Sequence, residues 1–377
     1  MKDLIHKEID MVDYCYLPGD DHSNDSSDEH IFPQSIGGIF KVRGLLCAKH
    51  NNEFGHTIDS ALEKALRPYC VLLGLDSSIE IGGKYFESEI AGRKIRTDSN
   101  GRTTIAKPKF EKETDTLTGK TQIRIEAPNE EYLKKMLAQL TKKDPGLKEK
   151  ITKGEKYKIE LDIRDSQPKI EIPFFNVGLH KSIFKTLANY WIYKGGSREH
   201  IEMLLKAISG ISTVPTSPYY GGPEIITGKP KHYILNSLVI VGSEKHQKLV
   251  GYVELLDAFR FIVQLQSPYI GPDIKYNYPE MVIGAGSIDD LTIDYNALLN
   301  FTNYDIAAGQ IDNKSVSAAF NKLYFNMMQI SEFNKAFNSS YEAALTEYNR
   351  TKNLNDFINV LSHKLVEQYA IKDGETQ

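Results

Sequence analysis

The chain has too little cysteine for a disulfide scaffold: three residues in 377, Cys15, Cys47 and Cys70, and an odd number. It therefore reads as an intracellular, cytoplasmic protein in a reducing environment. No run of about 18 apolar residues occurs, so neither a transmembrane helix nor a membrane partner is expected. The opening residues Met1-Lys2-Asp3-Leu4-Ile5-His6 carry no apolar secretion signal. Positive charge is not in surplus either. The 46 Lys and Arg against 50 Asp and Glu leave −4, which excludes a wholly basic protein that coats nucleic acid. Hydrophobic residues make up 41%, enough to bury sizeable cores and to exclude global disorder. At roughly 100–200 residues per domain, two or three domains are expected.

The even average hides an uneven distribution. Residues 1–92 hold 8 Lys and Arg against 16 Asp and Glu, a balance of −8. Residues 93–158 hold 18 against 10, a balance of +8. The remainder holds 20 against 24. A basic middle is compatible with a nucleic-acid partner, although a solvated lysine-rich face is the commoner cause of such a run.

Hydrophobic periodicity organises the rest. Residues 20–28 are polar and rich in breakers, a loop. Ile58, Leu62, Ala65 and Leu66 recur at helical spacing, which predicts a helix over about 51–67, ended by Pro68. Residues 79–125 read as short strands with turns at Gly82-Gly83, Ser99-Asn100-Gly101 and Thr118-Gly119. Asn129 caps an amphipathic helix over 129–142, and 157–163 alternates as a strand. Helices follow over 179–194 and 198–208. Two alternating runs, Tyr233–Val241 and Leu249–Val263, form a hairpin about Gly242–His246, and from about 294 the pattern is helical. The division expected is 1–75, 76–170 and 171–377. The fold class is α+β.

One constellation carries chemistry. Asp28-Glu29-His30-Ile31-Phe32-Pro33 is followed by Gly37-Gly38, by Leu45-Leu46-Cys47-Ala48-Lys49-His50-Asn51-Asn52-Glu53-Phe54-Gly55, and by Ile58-Asp59. This series resembles the HNH endonucleases, the His-Me finger or ββα-metal nucleases, over about residues 14–62. The resemblance implies a ββα finger around one divalent ion, Mg²⁺ or Mn²⁺. His30 would be the general base, and Glu29 and Asn51 would be metal ligands. Asn52 and Asp59 are weaker alternatives to Asn51. Alternation along a strand points Glu29 and His30 apart, so the strand must bend or end there. Gly37-Gly38 would form the hairpin turn. An Asn that often braces this loop is absent from Lys41-Val42-Arg43-Gly44, so other residues must brace it.

The resemblance also implies a structural Zn²⁺ held by two Cys-x-x-Cys knuckles. Here Cys47 and His50 form one half. Cys15 begins the other, but Pro18 stands where its second cysteine belongs, and His22 is the remaining candidate. Cys70, before Val71-Leu72-Leu73, reads as core. The basic segment offers Arg93, Lys94, Arg96 and Arg102, with Lys107 and Lys109, as candidate DNA phosphate contacts. Tyr219-Tyr220-Gly221-Gly222, Tyr269, Tyr276 and Tyr278 could stack on a base, though packing is the commoner use of such residues.

The expected function is metal-dependent hydrolysis of DNA, in a setting such as restriction or anti-phage defence that the family's company suggests. Cutting both strands with one site per chain would favour a homodimer. Two alternatives stand beside it. One is a nuclease gated by a small nucleotide regulator bound in the C-terminal region. The other is a non-catalytic nucleic-acid-binding module that keeps the finger as a scaffold.

Overall fold

Strand β2 (Ser26–His30) lies antiparallel to β3 (Lys41–Cys47), and β1 (His6–Glu8) runs parallel along the other edge of β3. Gly44 adopts φ +85° within β3, and the register slips there: Ser26 faces Cys47 whereas Asp28 faces Arg43. A 3₁₀ turn at Gln34–Ile36 and the pair Gly37-Gly38 connect β2 to β3. A Cβ on Gly38 would stand 1.9 Å from the Phe32 carbonyl oxygen, so only glycine fits. The structure is a computed structural model, and it describes residues 6–8, 15–19, 22–75, 85–90, 93–99, 101–114, 116, 121–143, 161–162, 176–212, 219–284, 288, 290–301 and 312–373.

Helix α1 (Ala48–Phe54) follows β3 directly. A π-helical turn, Gly55–Asp59, joins it to α2 (Ser60–Leu72). The helix was expected to stop at Pro68, yet Pro68 lies inside α2. Cys70, Val71 and Leu72 beyond it are all buried. Burying that last turn offsets the one hydrogen bond that proline cannot give.

The middle of the chain builds a sheet ordered β4 (Tyr85–Ile90), β5 (Arg93–Asp98), β6 (Arg102–Ile105) and β9 (Leu161–Asp162), beside a separate hairpin of β7 (Lys109–Thr114) and β8 (Thr121–Glu126). Of the strand expected over 157–163, only Leu161 and Asp162 lie among the described residues. Helix α3 (Glu130–Lys143) begins where Asn129 Oδ1 accepts the Tyr132 N–H, 2.9 Å. It buries no residue, and Lys134 and Lys135 pair with Glu130 and Glu131 one turn away.

Helix α4 (Val177–Tyr193) is capped by Asn176, whose Oδ1 accepts from the N–H groups of Gly178 and Leu179. It is buried almost all round, from Leu179 to Ile192. A 3₁₀ turn, Arg198–Ile201, leads into α5 (Glu202–Ile208). The short strand β10 (Ile226–Thr227) pairs with β15 (Thr292–Ile293). Between them lies an antiparallel sheet ordered β13 (Phe259–Gln266), β12 (Lys248–Leu255), β11 (Ile234–Ser243) and β14 (Ile274–Ile283).

The expected hairpin is thus three strands of four. Its second run breaks at Leu256 and Asp257, both with positive φ. Nor is one face polar, because every residue of β11 is buried. One face packs on α4, where Gly251 leaves room for Leu187. Leu298 and Leu299 of α6 (Tyr295–Asn300) join Val239, Val241, Val250 and Tyr252 in a second cluster. Helices α7 (Asn313–Thr351) and α8 (Leu354–Asp373) follow. The whole is an α+β protein. Two compact units share the chain: 1–81 with 172–329, and 82–171 with 330–377. Among the described residues, no helix is long and apolar enough to cross a membrane.

Candidate functional site

Strand β2 ends at His30, and this ending resolves the problem of alternation. Glu29 turns into the protein, 3% exposed, while His30 stays half-buried at the rim. Glu29 Oε1 accepts from Lys185 Nζ at 2.5 Å and from Asn189 Nδ2 at 3.1 Å. Lys185 Nζ also reaches Asp59 Oδ2 at 2.7 Å. One ammonium therefore holds both carboxylates. Asp59 stands at the end of the π turn, and its Oδ1 is buried without a hydrogen-bond partner. A buried carboxylate oxygen lacking a donor suits a cation.

Electrostatics follow the geometry. Burial raises the Glu29 carboxyl to about 6, against the pull of Lys185, and the charge of Asp59 adds to the rise. His30 is lowered to about 4 by burial and by the cations of Lys41 and Lys185. Its imidazole is therefore neutral at pH 7 and can accept a proton. Burial alone would depress Lys185, but the two carboxylates outweigh it and hold the ammonium above its usual range.

Asn51 lies within α1. Its Nδ2 donates to Ser27 Oγ and to the Asp28 carbonyl, both at 3.0 Å. An amide engaged through its nitrogen presents Oδ1 as the atom for a ligand. Asn52 is exposed on the next position of the same helix. The loop without its bracing Asn is held from the four-stranded sheet instead. Glu280 Oε1 accepts the Ile39 and Phe40 N–H groups, each at 2.7 Å, and Asn236 Nδ2 donates to the Ile36 carbonyl at 2.9 Å.

Cys15, His22, Cys47 and His50 form a second group, with donor atoms all within 4.8 Å of one another. His50 Nδ1 stands 3.2 Å from Cys47 Sγ and 3.5 Å from Cys15 Sγ. His22 Nε2 meets the Gly19 carbonyl at 2.7 Å, while its Nδ1 is buried without a partner. A carbonyl on one ring nitrogen keeps the other as a lone pair, the arrangement of a metal-binding histidine. Burial opposes ionisation of Cys47, yet the backbone N–H groups of His50 and Ser23 outweigh it and bring its thiol down to about 6. The four residues can hold a metal ion. Cys70 lies apart from them, buried, and burial pushes its thiol up to about 12.

The basic candidates stand in the other unit. Lys94 and Arg102 are exposed. Arg96 pairs with Glu87 at 3.0 Å and stacks over Tyr85 at 4.6 Å. Arg93 lies in β5, but its side chain is outside the described residues. Lys107 is exposed and Lys109 pairs with Glu111. The tyrosines are packed: Tyr269 is buried, and Tyr278 lies against Phe32, Phe40 and Tyr190.

Sequence reading did not single out Lys185 and Asn189. Their one signal is a lysine and an asparagine four residues apart inside an apolar helix.

No curated protein and no solved structure matches this chain. A family model described as HNH endonuclease matches residues 15–67, less than half of the chain but the whole of the finger described above, from Cys15 through Asp59. Residues 15–67 are an HNH endonuclease domain.

Proposed function

We propose that this chain is a metal-dependent DNA endonuclease in which His30 activates the attacking water. The observation that carries the proposal is the state of His30. It is half-buried at the end of β2, neutral at physiological pH, and within the field of Asp28 and Asp59. A neutral imidazole so placed takes a proton from water as the water attacks phosphorus. Asp28 and Asp59 favour the imidazolium that results, so the charge formed in the step is stabilised where it arises.

Glu29, Asp59 and the Oδ1 of Asn51 would hold Mg²⁺ or Mn²⁺. Bound there, the ion supplies charge neutralisation for the phosphate and the leaving oxygen. The unpartnered Oδ1 of Asp59 supports this assignment. Cys15, His22, Cys47 and His50 would hold a structural Zn²⁺, a four-ligand thiolate and imidazole set of the kind zinc takes. That ion would tie the 15–19 segment to the start of α1, next to Asn51. The exposed cations Lys94 and Arg102 would add contacts to DNA phosphates.

The test is plasmid cleavage by wild type and His30→Ala in Mg²⁺, Mn²⁺ and EDTA. Metal-dependent cutting that disappears in the folded variant is the expected result. Full activity in a folded His30→Ala would overturn the assignment.

A further inference from the structure

Helix α4 lies far beyond the segment that matches the HNH family, yet two of its side chains reach the finger's own acid. Lys185 and Asn189 are four residues apart and so share one face of the helix. Asn189 uses all of its polar atoms there. Its Nδ2 donates to Glu29 Oε1 at 3.1 Å and to the His30 carbonyl at 3.0 Å, and its Oδ1 accepts from Tyr16 at 2.6 Å. An amide held at both ends fixes whatever it holds. Here that is the carboxylate of Glu29 and the backbone of the candidate base. Lys185 is 2% exposed. A lysine this deep persists only where its charge is matched. Its partners are Glu29 and Asp59, at 2.5 and 2.7 Å.

Two carboxylates around one ammonium leave a single negative charge to attract a divalent cation. The same pair without Lys185 would present two.

We propose that α4 is part of the nuclease site: Lys185 and Asn189 are positioning residues that fix Glu29, Asp59 and the His30 backbone, and the ammonium of Lys185 limits how tightly the two carboxylates hold a divalent cation. The inference rests on the functional reading above. It adds to that reading a site completed from a distant part of the chain, with affinity for the metal kept low by a built-in competitor.

The experiment is Mn²⁺ titration of the full-length chain by electron paramagnetic resonance, with plasmid cleavage measured on the same samples. Lys185→Met should bind Mn²⁺ at least about tenfold more tightly than wild type, because a charge in contact with both ligands is gone. Its melting temperature should fall in EDTA and be restored by Mn²⁺. Asn189→Ala should weaken Mn²⁺ binding and lower kcat by about tenfold each, with KM for DNA unchanged, because positioning and not DNA contact is lost.

Wild-type affinity in a folded Lys185→Met, or unchanged kcat and affinity in Asn189→Ala, would overturn the proposal while leaving the nuclease assignment standing. If Lys185→Met does not fold even with Mn²⁺, Asn189→Ala decides the matter alone. A wild type that binds no Mn²⁺ and cuts equally well in EDTA would remove the metal-dependent reading and this one with it.

Discussion

At the finger, Glu29 and Asp59 share the ammonium of Lys185. At the turn between β12 and β13, Glu254 and Asp257 share Lys229, with Arg260 and Lys322 set against them. Both clusters are buried, and both join residues distant in sequence. They differ in what they leave over. The finger has two carboxylates for one cation; the turn, counting Glu224 on Lys229 at 3.1 Å, has three for three. Tyr252 closes the second cluster by donating to Glu254 Oε2 at 2.6 Å, and Arg260 Nη1 is taken by Ser315 at 2.9 Å. Asn236 Oδ1 anchors the strained turn by accepting the Leu256 N–H. Burial of charge is thus no sign of function by itself. A spare negative charge beside a half-exposed, neutral imidazole is what marks the finger, and the turn lacks both.

Four substitutions or conditions test that contrast, and one probes the other unit. The largest effect belongs to His30→Ala, which should lower the cleavage rate by about 10²–10⁴ while leaving the melting curve in place. Lys229→Met should do the reverse. Breaking a buried pair from one side costs about 3–5 kcal/mol, so urea unfolding should show that loss while cleavage per folded molecule is unchanged. If Lys229→Met abolished cutting in the folded state, the contrast between the clusters would fail.

Third comes the Cys/His group. Elemental analysis should find one zinc per chain, and its removal by a chelator should lower the melting temperature by about 5–10 °C, as loss of a few kcal/mol does in a unit of this size. Cys47→Ser should start from the lower temperature and ignore the chelator.

A smaller effect is the pH dependence of stability. The folded pKa of His30, about 4, lies below its unfolded value of about 6.5, so the folded state binds fewer protons between them. Stability is therefore lost as pH falls from 6.5 toward 4, by less than the roughly 3.4 kcal/mol that such a shift represents in full, because the ring is partly open to screening by solvent. His30→Ala should flatten that limb. The smallest effect is expected of Arg102→Ala, which should weaken DNA binding about equally across sequences and reduce the salt slope by about 1.

The finger was legible because its motif is local. Glu29, His30, Asn51 and Asp59 fall within about thirty residues, and the glycine pair announces the hairpin. What surrounds it was not. Lys185 and Asn189 carry no motif, because their partners are set by how α4 packs rather than by spacing. His22 breaks the Cys-x-x-Cys spacing, and only the folded loop shows its free nitrogen turned toward Cys47 and His50. Pro68 predicts a stop because local rules count the missing hydrogen bond and cannot see that Cys70 to Leu72 become buried. The strands around 234–266 looked two-sided, whereas both faces are covered, and a covered sheet has no polar side to show.

The separation of Glu29 from Asn189 by 160 residues also has a meaning in time. At about 5–20 residues per second, the ribosome delivers α4 roughly 8–30 s after the finger's acid has been made. Throughout that interval the growing chain carries its acid–histidine pair without the helix that orients it. On the proposal that α4 completes the site, such a nuclease would become competent only once its synthesis is well advanced.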